Sequence, residues 1–188
     1  MKLYVVPTGG LANRLRAIAA GYALAKKTGR ELIVLWHKDN GLNARFEELF
    51  TPDSSKFKII NVSDFKYQWL YDLPRKKNLY LSGLLQKVDS REWLIHSGEN
   101  AAQMDDLYFE KKALESGKDI LVMSCYAFYY NTPEILKEIL IPTEAVEARI
   151  REITKGKNIK TAVQIRRTDH TWSIDNSPLE LFEHNIEE

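Results

Sequence analysis

The segment from Leu3 to Trp36 restricts the fold more than any other part of the chain. A β-favouring run, Leu3 to Val6, passes through Gly9-Gly10 into an alanine-rich helical pattern, which returns through Gly29 to the apolar run "ELIVLW". Leu15, Ile18, Ala19 and Tyr22 fall on one helical face, and Lys26 and Lys27 precede Gly29 where a left-handed cap belongs. A strand, a helix and a fully apolar strand in that order make a βαβ unit. Such a unit calls for a parallel sheet covered by helices, so the expected class is α/β with a doubly wound parallel sheet.

The turn inside this unit carries chemistry. The spacing predicts a helix from about Asn13, so backbone N–H groups point outward beside Gly9 and Gly10. Unpaired amides and the helix dipole attract phosphate or carboxylate, glycine admits close approach, and Arg14 and Arg16 add positive charge. A Gly-Gly turn also joins strand to helix in α/β proteins that hold no ligand, and spacing alone leaves the two readings level. Two nucleotide motifs are excluded: no Gly-Lys-Ser/Thr follows, and Gly9-Gly10-Leu11-Ala12-Asn13 does not fit G-x-G-x-x-G.

Composition bounds the remaining possibilities. The 188 residues suffice for one domain with a sizeable core, or one domain and a piece of another. Apolar residues at 44% and charged residues at 28% exclude disorder, and a net charge of +1 argues against a general nucleic-acid binder. The single cysteine, Cys125, lies in the apolar run "ILVMSCYAFYY", where a packed thiol in a reducing compartment is expected. Only Lys2 precedes the first strand, and the apolar run Ala17–Ala25 is short. Neither a signal peptide nor a membrane span fits, so a cytoplasmic protein is expected.

Further along, "NARFEELF" reads as a short amphipathic helix stopped by Pro52, and "FKIINV", "NLYLSGLL" and "DILVMSCYAF" read as strands. Residues 64–115 show no clean periodicity and are read as loops and small helices. His96 there reads as a hydrogen-bonded structural residue, and Asp105-Asp106 as a solvated helix start rather than a metal site. Pro133 opens a helix that Pro142 closes. Thr143 caps another, with Val146, Ile150 and Ile153 as its apolar stripe.

After "KGKN" a new strand, "TAVQIRR", begins, and Ser177 with Glu180 forms a capping box around Pro178 for a helix that runs off the end. One strand and one helix start cannot form a sheet alone. The expected organisation is therefore an N-terminal α/β domain, 1–157, and the truncated start of a second domain, 158–188, with strand exchange or a homo-oligomer as a way to cover Val163 and Ile165. Arg166 and Arg167 end the new strand ahead of Thr168, Asp169 and His170, at the carboxyl end where open α/β sheets bind ligands. Two guanidinium groups there suit a phosphate, with Asp169 orienting one of them. The structural alternative is an exposed Arg–Asp pair at a strand end.

"GGLANRLRAIAAGYALAKKTGRELIVLW" together with "AVQIRRTDH" resembles the GDP-fucose-dependent fucosyltransferase superfamily, in particular its bacterial nodulation-type and α1,6-type members with a His-x-Arg-Arg-x-Asp element. The two motifs stand in the family's order, about 150 residues apart. The resemblance covers 3–36 and 158–180 well. It implies a glycosyltransferase-B fold, with an acceptor-side N-terminal Rossmann-like domain and a C-terminal domain that holds the nucleotide sugar. By the same resemblance Arg166 grips the β-phosphate of GDP as the catalytic residue, and Arg167 and Asp169 support it. Gly9, Gly10 and Asn13 close on the pyrophosphate. From their positions beside these motifs, Arg14 and His170 are further substrate-binding candidates. Gln164 stands where many members carry His, and it cannot titrate near neutrality.

Arginine donors stabilise a departing phosphate without a divalent metal, so no cofactor is expected. The partners implied are GDP-fucose or a similar nucleotide sugar and a glycan acceptor. His37, Asp39, His96 and Glu99 all remain open as the base for the acceptor hydroxyl. Two alternatives stand beside a fucosyltransferase fragment: a transferase of the same fold with another donor, and a non-enzymatic binding module that kept the cleft.

Overall fold

The computed structural model describes residues 1–39 and 41–157. In chain order the elements are β1 (Lys2–Pro7), α1 (Leu11–Thr28), β2 (Glu31–Trp36), α2 (Phe46–Leu49), β3 (Phe50–Thr51), β4 (Lys58–Asn61), α3 (Asp64–Lys66), α4 (Leu81–Val88), β5 (Glu92–His96), α5 (Asp106–Glu115), β6 (Ile120–Ser124), α6 (Pro133–Ile139), β7 (Ile141–Pro142) and α7 (Glu144–Thr154). A π-type turn, Tyr67–Tyr71, and 3-10 turns at Lys76–Asn78 and Gly98–Gln103 lie in the middle of the chain. The chain divides into two units after Glu147. The described part of the second, 148–157, is the rest of α7 and a turn.

Five strands run parallel in the order β4-β2-β1-β6-β5. Their side chains alternate, and both faces of the central strands β2, β1 and β6 are buried. Leu3, Val5, Leu32, Val34, Trp36, Ile120 and Val122 pack on one side with α1 and with Phe109 and Ala113 of α5. Val6, Ile33, Leu35, Leu121 and Met123 pack on the other with Tyr67, Leu70 and Tyr71. That is why "ELIVLW" reads as an unbroken apolar run rather than an alternating one. Among the described residues no helix is long and apolar enough to cross a membrane.

The expected α/β class with a parallel sheet holds, and four local expectations need correction. First, α1 starts at Leu11, not Asn13, because extended Gly10 serves as its cap. Second, "NLYLSGLL" forms helix α4 rather than a strand; Leu81, Leu84, Leu85 and Val88 carry a helical period that the apolar Leu79 and Tyr80 conceal. Third, the region read as loops and small helices contributes β5, an edge strand paired with β6 through Leu94↔Val122. Fourth, β6 ends at Ser124, so Cys125 stands on the following loop, half-buried, instead of inside a strand. The predicted strand and helix after residue 157, and with them the second domain, lie outside the described residues.

Candidate functional site

The chain moves outward from β1 to β2 and β4, re-enters at the far edge as β5, and closes inward to β6 beside β1. The carboxyl ends of β1 and β6 thus mark the switch point at which open α/β sheets receive ligands. The Thr8 N–H donates to the carbonyl of Ser124, the last residue of β6 (2.9 Å), carrying the pairing one residue past the end of β1 and delivering the chain into the glycine turn. Gly9 has φ +81°, and a Cβ there would stand 3.2 Å from Asn13 Nδ2 and 3.6 Å from Cys125 Cβ. The conformation selects glycine, and a Cβ would in addition crowd the Asn13 amide.

Gly10 caps α1 without a side-chain hydrogen bond, and no acid occupies the first turn. An 18-residue helix therefore presents an amino end with no capping side chain, with Gly9, Gly10 and Ala12 exposed around it. Arg16 donates to Asn13 Oδ1 (3.0 Å) and leaves its cation at the mouth of the turn. Arg14 does not face solvent. It is 1% exposed, donates through Nε to the Gly9 carbonyl (2.6 Å) and through its Nη groups to the His37 carbonyl and the Asp39 carboxylate (2.7 Å), and lies 5.1 Å over the Trp36 ring. It ties the glycine turn to the loop after β2.

That loop opens a polar cleft of about 890 Å³, bounded by His37, Asp39, Asn43, Asp64, Tyr67 and Arg75 among others. His37 stacks flat on Tyr67, with ring centroids 3.9 Å apart. Its Nε2 lies 3.1 Å from Asp64 Oδ1, while Nδ1 is buried without a hydrogen-bond partner. Burial, with Asp72 and Asp39 close by, pushes the Tyr67 phenol up to about 12, so it stays a hydrogen-bond donor near neutral pH. The π-type turn sets this geometry, closing with the Asp72 N–H on the Tyr67 carbonyl (2.8 Å). A smaller cavity of about 90 Å³ shares Tyr67, Asp72 and Arg75 and reaches Thr8, His96 and Ser124.

Of the groups left open as a base, His37 and Asp39 line the cleft. His96 is consumed internally: Nδ1 meets Ser124 Oγ at 2.9 Å, Nε2 meets the Ala101 carbonyl at 3.3 Å, and Phe109, Tyr126 and Phe128 surround the ring. Burial holds it below the usual histidine range, only partly opposed by the Ala101 carbonyl. It is structural, as the sequence suggested. Asp105 likewise caps α5, accepting from the Tyr108 N–H at 2.8 Å. Of the residues expected at the site, Gly9, Gly10, Asn13 and Arg14 come together at one sheet end; Arg166, Arg167, Asp169 and His170 lie outside the described residues. Sequence reasoning missed Asp64, Tyr67, Asp72 and Arg75. Position was the available signal for Asp64, which closely follows the carboxyl end of β4.

No protein-family model matches the sequence, and no curated protein matches it either. Solved structures do. NodZ α-1,6-fucosyltransferase soaked with GDP-fucose matches over 98% of this chain and 66% of its own, with 13% identity and a TM-score of 0.51. POFUT1 in its apo form matches over 85% of this chain and 56% of its own, with 11% identity and a TM-score of 0.46. NodZ from Bradyrhizobium gives 82%, 56%, 14% and 0.42 in the same order. The chain thus spans between 56% and 66% of the length of these fucosyltransferases, and at such identities the likeness is one of fold.

Proposed function

We propose that the chain is the N-terminal part of an inverting glycosyltransferase that moves fucose from GDP-fucose to a hydroxyl of a glycan acceptor in the cytoplasm. The observation that supports this most is the open amino end of α1, free of acid and capping side chain, at the switch point beside a polar cleft. A diphosphate suits the first and sugar hydroxyls suit the second. In this reading 1–157 is the acceptor-side domain and 158–188 begins the nucleotide-sugar domain. Gly9, Gly10 and Asn13 close on the pyrophosphate. Arg14 acts through them, holding the turn.

Breaking the anomeric carbon–oxygen bond builds negative charge on the departing GDP. Arg166 meets that charge, with Arg167, Asp169 and His170 around it, and stabilises the transition state more than the ground state without a metal. The acceptor oxygen attacks from the opposite face and gives up its proton within the cleft that His37 and Asp39 line. The guanine pocket is completed outside these 188 residues, so the chain alone holds GDP weakly and transfers no sugar.

Transfer from radiolabelled GDP-fucose, measured for this chain and for the longer reading frame proposed to contain it, tests the reading. The longer protein is expected to release GDP in the presence of chelator and acceptor, and Gly9→Val to slow it by about tenfold or more. Turnover only with another nucleotide sugar would favour the same-fold alternative. Binding without turnover would favour the non-enzymatic module. Either result removes the fucosyltransferase assignment.

A further inference from the structure

Helix α4 is docked with its polar side inward. Ser82 is fully buried, Gln86 Nε2 donates to the carbonyls of Leu70 (2.8 Å) and Asp72 (3.0 Å), and a Cβ on Gly83 would stand 3.0 Å from Pro74 Cγ. The apolar side faces outward: Leu81, Leu84, Leu85 and Val88 are 40%, 60%, 42% and 80% exposed. Their spacing is that of one continuous helical stripe. Leu79 and Tyr80 enlarge it at 68% and 61% exposed, held at φ +49° and +57°, where residues with a side chain are uncommon. The loop that presents them is pinned by buried Asn78, whose Nδ2 donates to the Gln68 and Leu73 carbonyls. An ordinary surface helix turns such a stripe to the core, and a contiguous exposed one marks a binding surface.

The charges around the stripe indicate its occupant. From Leu73 to Val88 the sequence carries Arg75, Lys76, Lys77 and Lys87 and no carboxylate, in a chain whose net charge is only +1. Lys77 pairs with Asp72 at 2.7 Å and Arg75 lies 3.9 Å from the same acid. Lys76 and Lys87 are exposed and take part in none of the ion pairs among the described residues. A second copy seated on this surface would bring the same cations together. Leucines bordered by lysines, with a tyrosine at the margin, instead match a helix lying in the headgroup layer, where apolar side chains enter the acyl boundary and ammonium groups meet lipid phosphates. We propose that α4 with Leu79 and Tyr80 is a docking surface for a membrane rich in anionic phospholipid, bound peripherally. The inference is independent of the transferase reading.

Sedimentation with sucrose-loaded vesicles tests it, using equal parts phosphatidylglycerol and phosphatidylcholine beside phosphatidylcholine alone. The protein is expected to partition onto the anionic vesicles about tenfold or more better than onto the neutral ones, and less as salt rises. Leu84→Ser with Val88→Ser should lower that partition by about tenfold or more, and Lys76→Gln with Lys87→Gln by several-fold, roughly, at low salt. All four side chains are exposed, so circular dichroism of both variants should match the parent. Failure of the parent to bind anionic vesicles, or equal binding by the variants, overturns the proposal. So does a dimer in sedimentation equilibrium that the Leu84→Ser, Val88→Ser variant dissolves, since it would assign the surface to a second copy.

Discussion

Arg14 shows how a residue can be visible in the sequence while its partners are not. The sequence places it beside the glycine turn, but the groups it binds lie 5, 23 and 25 residues away. Nothing local announces that its charge is turned inward. Replacing it with Met leaves the Gly9 and His37 carbonyls and Asp39 Oδ2 without their donor, while Asp39 Oδ1 keeps the Gly41 and Leu42 N–H groups. Asp39 is 35% exposed at its side chain and regains water, so the loss falls short of a fully buried pair. We expect Arg14→Met to cost about 2–4 kcal/mol in urea unfolding, and Arg14→Lys to recover only part of it because an ammonium cannot span all three acceptors. A cost under about 0.5 kcal/mol would mean that the turn holds without it.

At the scale of elements, close packing of α1 on the sheet rests on Gly21. A Cβ there would stand 2.7 Å from Val5 Cγ2 and 3.3 Å from Leu32 Cδ1, both core atoms with little room to move. Alanine improves helix propensity by about 1 kcal/mol but forces apart packed layers at about 1–3 kcal/mol, so Gly21→Ala should lower the melting temperature. Gly29→Ala meets nothing within 4 Å and suffers only from φ +67°. It should cost about 1 kcal/mol, and Gly29→Asn less. A Gly21→Ala protein that melts higher than its parent would refute the contact. The sequence identifies Gly29 through the lysines before it, whereas Gly21 looks like any helical glycine. The same limit explains α4 and β5: a short apolar run fits either period, and only pairing with β6 makes Glu92–His96 a strand.

For the molecule as a whole, pH dependence reports how His96 is buried between β5, β6 and α5. Its folded pKa lies below the usual value, so between that folded value and about pH 6.5 the unfolded chain binds the proton and the folded chain does not. Stability from this group is fully present above about pH 6.5 and is lost as pH falls toward the folded pKa, with a slope of at most about 1.4 kcal/mol per pH unit. Glu31, Asp53, Asp89 and Glu92, each held below its usual range by hydrogen bonds or neighbouring cations, add losses in more acid solution. Urea unfolding at pH 7.5 and 5.5 should show His96→Gln losing less stability on acidification than its parent; parallel losses would overturn the assignment. By itself the sequence determined the parallel α/β sheet and the open glycine turn, because periodicity and the need for positive φ are written in neighbouring residues. The tertiary structure decided that Arg14 turns inward, that His37 lies between Tyr67 and Asp64, and that α4 shows its leucines to solvent. An apolar stripe states that a helix has two faces, and only long-range packing chooses which one meets the core.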